Sequence, residues 1–300
     1  MSLYIEIGIL FLIMGIGFYG KKRKILSEET DKGLSSLLMD ITLPLLIISS
    51  FNLKYSYEML NNIIKSLLYS IIAFTIAIAI SSIIFAKVKN GKKDILKFCG
   101  VFCNCGFMGF PIIESIFGKE GLIYASIFNM IFTSLIWTYG LKLYSGKKVT
   151  KDFRKVIINP GIIAVVIGIL IILFSIQIPL IIKSTLEIIG GMTTPIAMII
   201  TGSMMAGIQI KNQIKDKNLY IGVLVRLLIV PLVLYAITIP FKISSIPVTT
   251  ILIAEAMPVG ATASIFSQIF NKEKELSATL VFISTLLSVV TIPMVVWIIS

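Results

Sequence analysis

The apolar residues of this chain come in runs of about 20, separated by short Lys-rich stretches. At 1.5 Å per residue such a run spans ~30 Å of hydrocarbon as an α-helix. Only helices and closed barrels satisfy their backbone in lipid, and barrel strands alternate apolar with polar residues instead of staying apolar throughout. The expected fold is therefore an all-α polytopic membrane protein. Composition agrees: charged residues make up 14% of the chain, against about 25% in a soluble domain.

Ten segments fit the pattern: 3–20, 34–52, 63–86, 97–117, 121–141, 156–174, 180–208, 218–239, 247–270 and 277–299. An even number puts both termini on one side. The loops after segments 1, 3, 5, 7 and 9 hold 21 of the 27 Lys/Arg, and the opposite face holds five. The positive-inside rule makes the rich face cytoplasmic, so both termini are expected outside a cell (inner or plasma) membrane. The net charge of +12 is thus a topology signal, and nucleic acid is not an expected partner. No basic residue precedes the first run and Lys21-Lys22-Arg23-Lys24 follows it, unlike a cleaved signal peptide.

Segment 4 contains N-C-G-F-M-G-F-P, Asn104 to Pro111. Glycine and proline are poor material for a mid-helix position. A second such stretch, E-A-M-P-V-G-A-T-A, occupies Glu255 to Ala263 in segment 9. The longest basic loop, 142–155, divides the chain into halves 1–150 and 151–300, each with five segments. A shift of 151 residues brings Gly17 onto Gly168, Thr42 onto Thr193, Pro44 onto Pro195 and Gly109 onto Gly260. With an odd number of spans per half, the second half enters the membrane in the opposite sense. That is an inverted repeat, and paired broken helices in the two halves are the best sequence pointer to a transporter's binding site. Unwound backbone cannot face lipid, so two breaks at mid-membrane are expected to present polar groups and helix N-termini, which favour anions, to a solute.

These residues resemble the auxin efflux carrier family, which includes plant PIN carriers and bacterial malate permease-like proteins. The resemblance rests on L-P-L-L-I at Leu43–Ile47, the Asn104–Pro111 motif, Asn159-Pro160, R-L-L-I-V-P at Arg226–Pro231 and A-M-P-V-G at Ala256–Gly260. It covers the whole chain. It implies a bile-acid/sodium symporter-like fold: ten helices in two inverted five-helix repeats, with helices 4 and 9 broken and crossing, and a scaffold and a transport domain drawn from both repeats. It also implies an organic-anion substrate, elevator-like movement and a homodimer. Matching positions make Asn104, Pro111 and Pro258 site candidates. Gly106, Phe107 and Gly109 on the first break, Glu255, Gly260 and Thr262 on the second, and Pro44 complete the candidate substrate contacts. The short 142–155 loop departs from plant members that carry a long one.

Ionisable residues within spans are costly, at least ~2.5–3.5 kcal/mol, and so mark function. Asp40, Glu114, Glu255 and Arg226 are the ion-coupling candidates, with Na+ or H+ as the ion and no other cofactor. Arg226 has three readings: a partner for an anion, a partner for a carboxylate, or a side chain snorkelling to the interface. Cys99, Cys103 and Cys105 read as small packing residues. The stretch G-I-G-F-Y-G-K-K, Gly15 to Lys22, imitates a nucleotide-binding motif but lacks the preceding strand and the Ser or Thr of a P-loop. Gly202 and Ala206, four apart, suit close helix packing. The chain has no histidine, and neither a metal-ligand set nor a nucleophile–base pair is recognisable, which argues against an enzyme. The expected function is secondary transport of a small organic anion, a carboxylate by preference. The alternative is a channel or sensor of the same fold.

Overall fold

The computed structural model describes residues 3–52, 56–88, 91–145, 158–207, 214–239 and 245–299, and these are helical nearly throughout. In order they form α1 (Leu3–Lys22), α2 (Glu28–Leu37), α3 (Leu43–Ser50), α4 (Tyr57–Ile84), α5 (Lys92–Val101), α6 (Phe110–Leu135), α7 (Leu141–Ser145) and α8 (Pro160–Leu173). Then come α9 (Leu180–Gly191), α10 (Thr193–Ala206), α11 (Lys217–Leu224), α12 (Val230–Thr238), α13 (Ile246–Glu255), α14 (Thr262–Ile269) and α15 (Lys274–Ile299). Among the described residues six helical stretches are long and apolar enough to cross a membrane: 28–50, 57–84, 105–145, 180–206, 217–238 and 274–299. The protein is a multi-pass membrane protein.

Several boundaries differ from those expected, each for a local reason. Segment 2 begins at Glu28, not 34, because Ser27 caps α2 by accepting the Thr30 amide at 3.0 Å. The polar first turn is stabilised by that cap, not by burial, so an apolar window misses it. Segment 6 shrinks to the 14 residues of α8, where Asn159 caps the amides of Gly161 and Ile162 and Pro160 takes the first position. Segments 4 and 5 separate at Gly118, whose φ of 58° and ψ of −147° suit glycine alone. Most of the basic loop at 142–155, together with Lys54 and Lys242 of the charge count, lies outside the described residues.

Four π-turns interrupt the helices, at Leu38–Thr42, Cys105–Gly109, Ile136–Gly140 and Val225–Ile229. Three of them end two residues before a proline: Pro44, Pro111 and Pro231. A proline ring collides with the carbonyl four residues back and offers it no hydrogen. Widening the preceding turn relieves the collision. So Pro44, Pro111 and Pro231 widen a turn and do not unwind it, unlike Pro258, which stands in an unwound stretch.

The chain divides into two compact units, each drawn from both halves of the sequence. The first comprises residues 1–67, 106–130 and 154–207. In it α1 lies against α10 with backbone on backbone: a Cβ on Gly202 would lie 2.8 Å from the Phe18 nitrogen and closer still to the Met14 carbonyl. Gly17 meets Ile199 in the same way. Small residues give this approach where lipid offers no hydrophobic drive between helices. The nucleotide-like motif is the end of α1, as its sequence context suggests. α3 packs against α8 and α9, with Gly168 facing the Phe51 ring and Gly190 facing the Leu46 backbone.

The second unit comprises residues 68–105, 131–153 and 208–300. Its core is aromatic: Phe98 lies 4.5 Å from Phe102, 5.0 Å from Tyr144 and 5.7 Å from Phe266, ring centre to ring centre. The Tyr144 hydroxyl donates to the Ala263 carbonyl at 2.9 Å and shares a hydrogen bond with Ser267. These contacts join α5, α7 and α14. At one end Lys92 donates to Asp216 at 2.8 Å, and Asp216 caps α11 through the Asn218 amide. Burial alone would raise the Asp216 carboxyl, but the bonds from Lys92 and Asn218 outweigh it and hold it below its ordinary range.

Candidate functional site

The two sequence breaks meet in the second unit. α5 stops at Val101 and α13 at Glu255, each after ten residues, about half the hydrocarbon thickness. Phe102 is extended, with φ −98° and ψ 107°. The Asn104 amide donates to the Pro258 carbonyl at 2.7 Å, and the Gly260 amide donates to the Phe102 carbonyl at 3.0 Å. Cys103 and Val259 thus face each other as one antiparallel pair. The Val259 amide, turned the other way, donates to Ser284 of α15 at 3.1 Å. Gly260 is required by this approach, since a Cβ there would lie 2.8 Å from the Cys103 oxygen.

The unwound residues are therefore Phe102–Asn104 and about 256–261, a shorter first break than Asn104–Pro111. Residues 105–109 keep a wide helical turn, and Pro111 lies in the first turn of α6. A 151-residue shift lays Glu255 on Asn104, yet Glu255 ends a helix while Asn104 lies in the unwound stretch and its amide pairs with Pro258. Part of the break backbone is occupied within the protein. The break backbones bond to each other and to Ser284 because lipid supplies no water to do so.

The C-terminal carbonyls of the half-helices have a single donor in common. Arg226 lies in the π-turn Val225–Ile229 and is 0% exposed, as is Glu255. One amino group of its guanidinium donates to the Gly100 carbonyl at 3.2 Å and the Val101 carbonyl at 3.1 Å. The other donates to the Glu255 carbonyl and to Glu255 Oε2. All four amino hydrogens are thereby used, and the ion pair is closed within the protein. Of the three readings of Arg226, the structure has pairing with a carboxylate, and the side chain does not reach an interface.

Other polar atoms at the crossover have no protein partner among the described residues. The Asn104 side chain is 5% exposed, and its carboxamide makes no hydrogen bond among the described residues. Thr262 Oγ1, at the start of α14, and Glu255 Oε1 are buried without a partner. The remaining candidates lie in the first unit. Pro44 is buried at the start of α3 and Asp40 is exposed in the π-turn before it. Glu114 accepts from Thr194 at 3.0 Å. Gly106, Phe107, Gly109 and Pro111 also belong to that unit. Hence Asn104, Arg226, Glu255, Pro258, Gly260 and Thr262 share one unit, and the four ionisable candidates fall two in each unit. The three cysteines are buried and form no disulfide. Ser284 carries no sequence signal for its part, being one hydroxyl in an apolar helix that contains several.

Known proteins bear on this geometry directly. The family described as membrane transport protein matches the chain twice, over residues 2–152 and again over 146–298. The chain belongs to the membrane transport protein family. Each matched range contains one of the two breaks, and the match agrees with the resemblance to auxin efflux carriers. An uncharacterized transporter of Methanocaldococcus jannaschii is 24% identical over 306 residues, covering 97% of this chain and 96% of its own. An uncharacterized transporter of Methanothermobacter thermautotrophicus is 25% identical over 296 residues, covering 96% and 95%. As a membrane transport protein the chain binds a small-molecule solute and lipid.

Proposed function

We propose that this membrane transport protein is a secondary transporter of a small organic anion, a carboxylate, bound at the crossover of its fourth and ninth spans. The observation that carries the reading is the Asn104 side chain. It is 5% exposed with no protein partner among the described residues, and closing the site over it without a partner would cost roughly 1–3 kcal/mol. A ligand carboxylate that accepts its two N–H donors removes that cost. Thr262 Oγ1 adds a hydroxyl at the first turn of α14, where a helix N-terminus favours negative charge. Arg226 and Glu255 sum to zero, so the buried carboxylate does not repel an anion.

In this reading the ten segments form two inverted five-helix repeats, with both termini outside and two copies forming a dimer. The unit with the crossover is the transport domain and moves by an elevator-type step; the other unit is the scaffold. Pro44, Gly106, Phe107, Gly109 and Pro111 belong to the scaffold unit, and Asp40 and Glu114 are its ion-coupling candidates.

A thermal-shift screen of dicarboxylates and aromatic acids on the purified protein identifies a ligand, because binding to the folded state raises its apparent stability. Asn104→Ala is expected to abolish that shift and lower proteoliposome uptake at least about 10-fold, the loss of roughly one charge-assisted hydrogen bond. Its own melting temperature should stay within about 2 °C of wild type, since no native bond is removed. Unchanged uptake refutes the site. Counterflow driven by unlabelled solute distinguishes a carrier from a channel.

A further inference from the structure

We propose that the Arg226 guanidinium is a resident cation, filling the position between the two half-helix C-termini that an inorganic coupling cation would otherwise take. The last carbonyls of a helix carry about −0.5 of an elementary charge. Here two helices, α5 and α13, end at one place, and a carboxylate stands beside them. Three carbonyl oxygens and one carboxylate oxygen, from Gly100, Val101 and Glu255, form the all-oxygen donor set that hard cations select. Each of those four oxygens meets one amino hydrogen of Arg226. The guanidinium stays charged at any physiological pH and is tethered to the π-turn, so it neither dissociates nor travels. The inference needs nothing of the solute proposed above. It has a direct consequence: sodium does not bind at this position, and Glu255 holds Arg226 in place of a transported ion.

Melting of the purified protein in equal millimolar concentrations of sodium, choline or guanidinium chloride tests this. Wild type and Arg226→Lys are each expected to keep their own melting temperature within about 1 °C across the three salts, because neither lacks the cation. Arg226→Ala removes the cation and leaves its oxygens. It should melt lower in choline and recover at least half the loss when sodium or guanidinium is supplied. A sodium-specific rise for wild type overturns the proposal, as does an Arg226→Ala protein that melts alike in all three salts. A merely space-filling role for Arg226 gives the latter result. Should Arg226→Ala not fold, the wild-type and Arg226→Lys measurements decide.

Discussion

Arg226→Met is expected to be the most damaging single substitution in the protein. It leaves the Glu255 carboxyl fully buried with no counter-charge, and breaking a buried pair in this way costs about 3–5 kcal/mol. It also strips donors from the Gly100, Val101 and Glu255 carbonyls. The double variant Arg226→Met/Glu255→Leu separates these effects. Removing both charges relieves the electrostatic part, whereas the three carbonyls stay unpaired at ~1–3 kcal/mol each before relaxation. The double variant should therefore recover only part of the lost stability, read as melting temperature and folded yield. Full recovery would mean that the bonds to the helix ends weigh nothing.

Gly260→Val should come next. Its first side-chain carbon would stand 2.8 Å from the Cys103 oxygen and 3.2 Å from the carbonyl carbon. Both obstacles are backbone, so relief requires the two breaks to part and the Gly260–Phe102 bond to lengthen. Forced overpacking of this kind costs roughly 1–3 kcal/mol, and here it falls on the proposed solute site. Uptake should be lost together with a lowered melting temperature. Gly15→Ala in α1 is a fitting control, because nothing lies within 4 Å of a Cβ there; it should be neutral or slightly stabilising.

Much of this architecture is legible in the residues themselves. Apolar runs give the helices because lipid demands a fixed length and internal bonding. Glycine and proline flag the neighbourhood of the two interruptions because they act on backbone locally. What cannot be read is pairing across distance. Nothing in the spacing tells that Cys103 faces Val259, or that Ser284 serves the Val259 amide. Proline also misleads as to place. Pro111 marks a widened turn, while the true interruption lies at Phe102–Asn104, where no proline stands. Arg226 was visible as a costly charge in a span, but its partners are main-chain oxygens, which every residue has and which no side-chain pattern can flag. Asp40, Glu114 and Glu255 look alike in sequence, and only the fold divides them between two units.

The link between α5 and the wide turn after it is three residues long, and successive residues along an extended chain point to opposite sides. Deleting or inserting a single residue there would turn the Asn104 amide away from Pro258 and carry its side chain to the other side. Relatives that keep the solute chemistry should therefore tolerate length changes in their connecting loops but never between the positions of Val101 and Cys105.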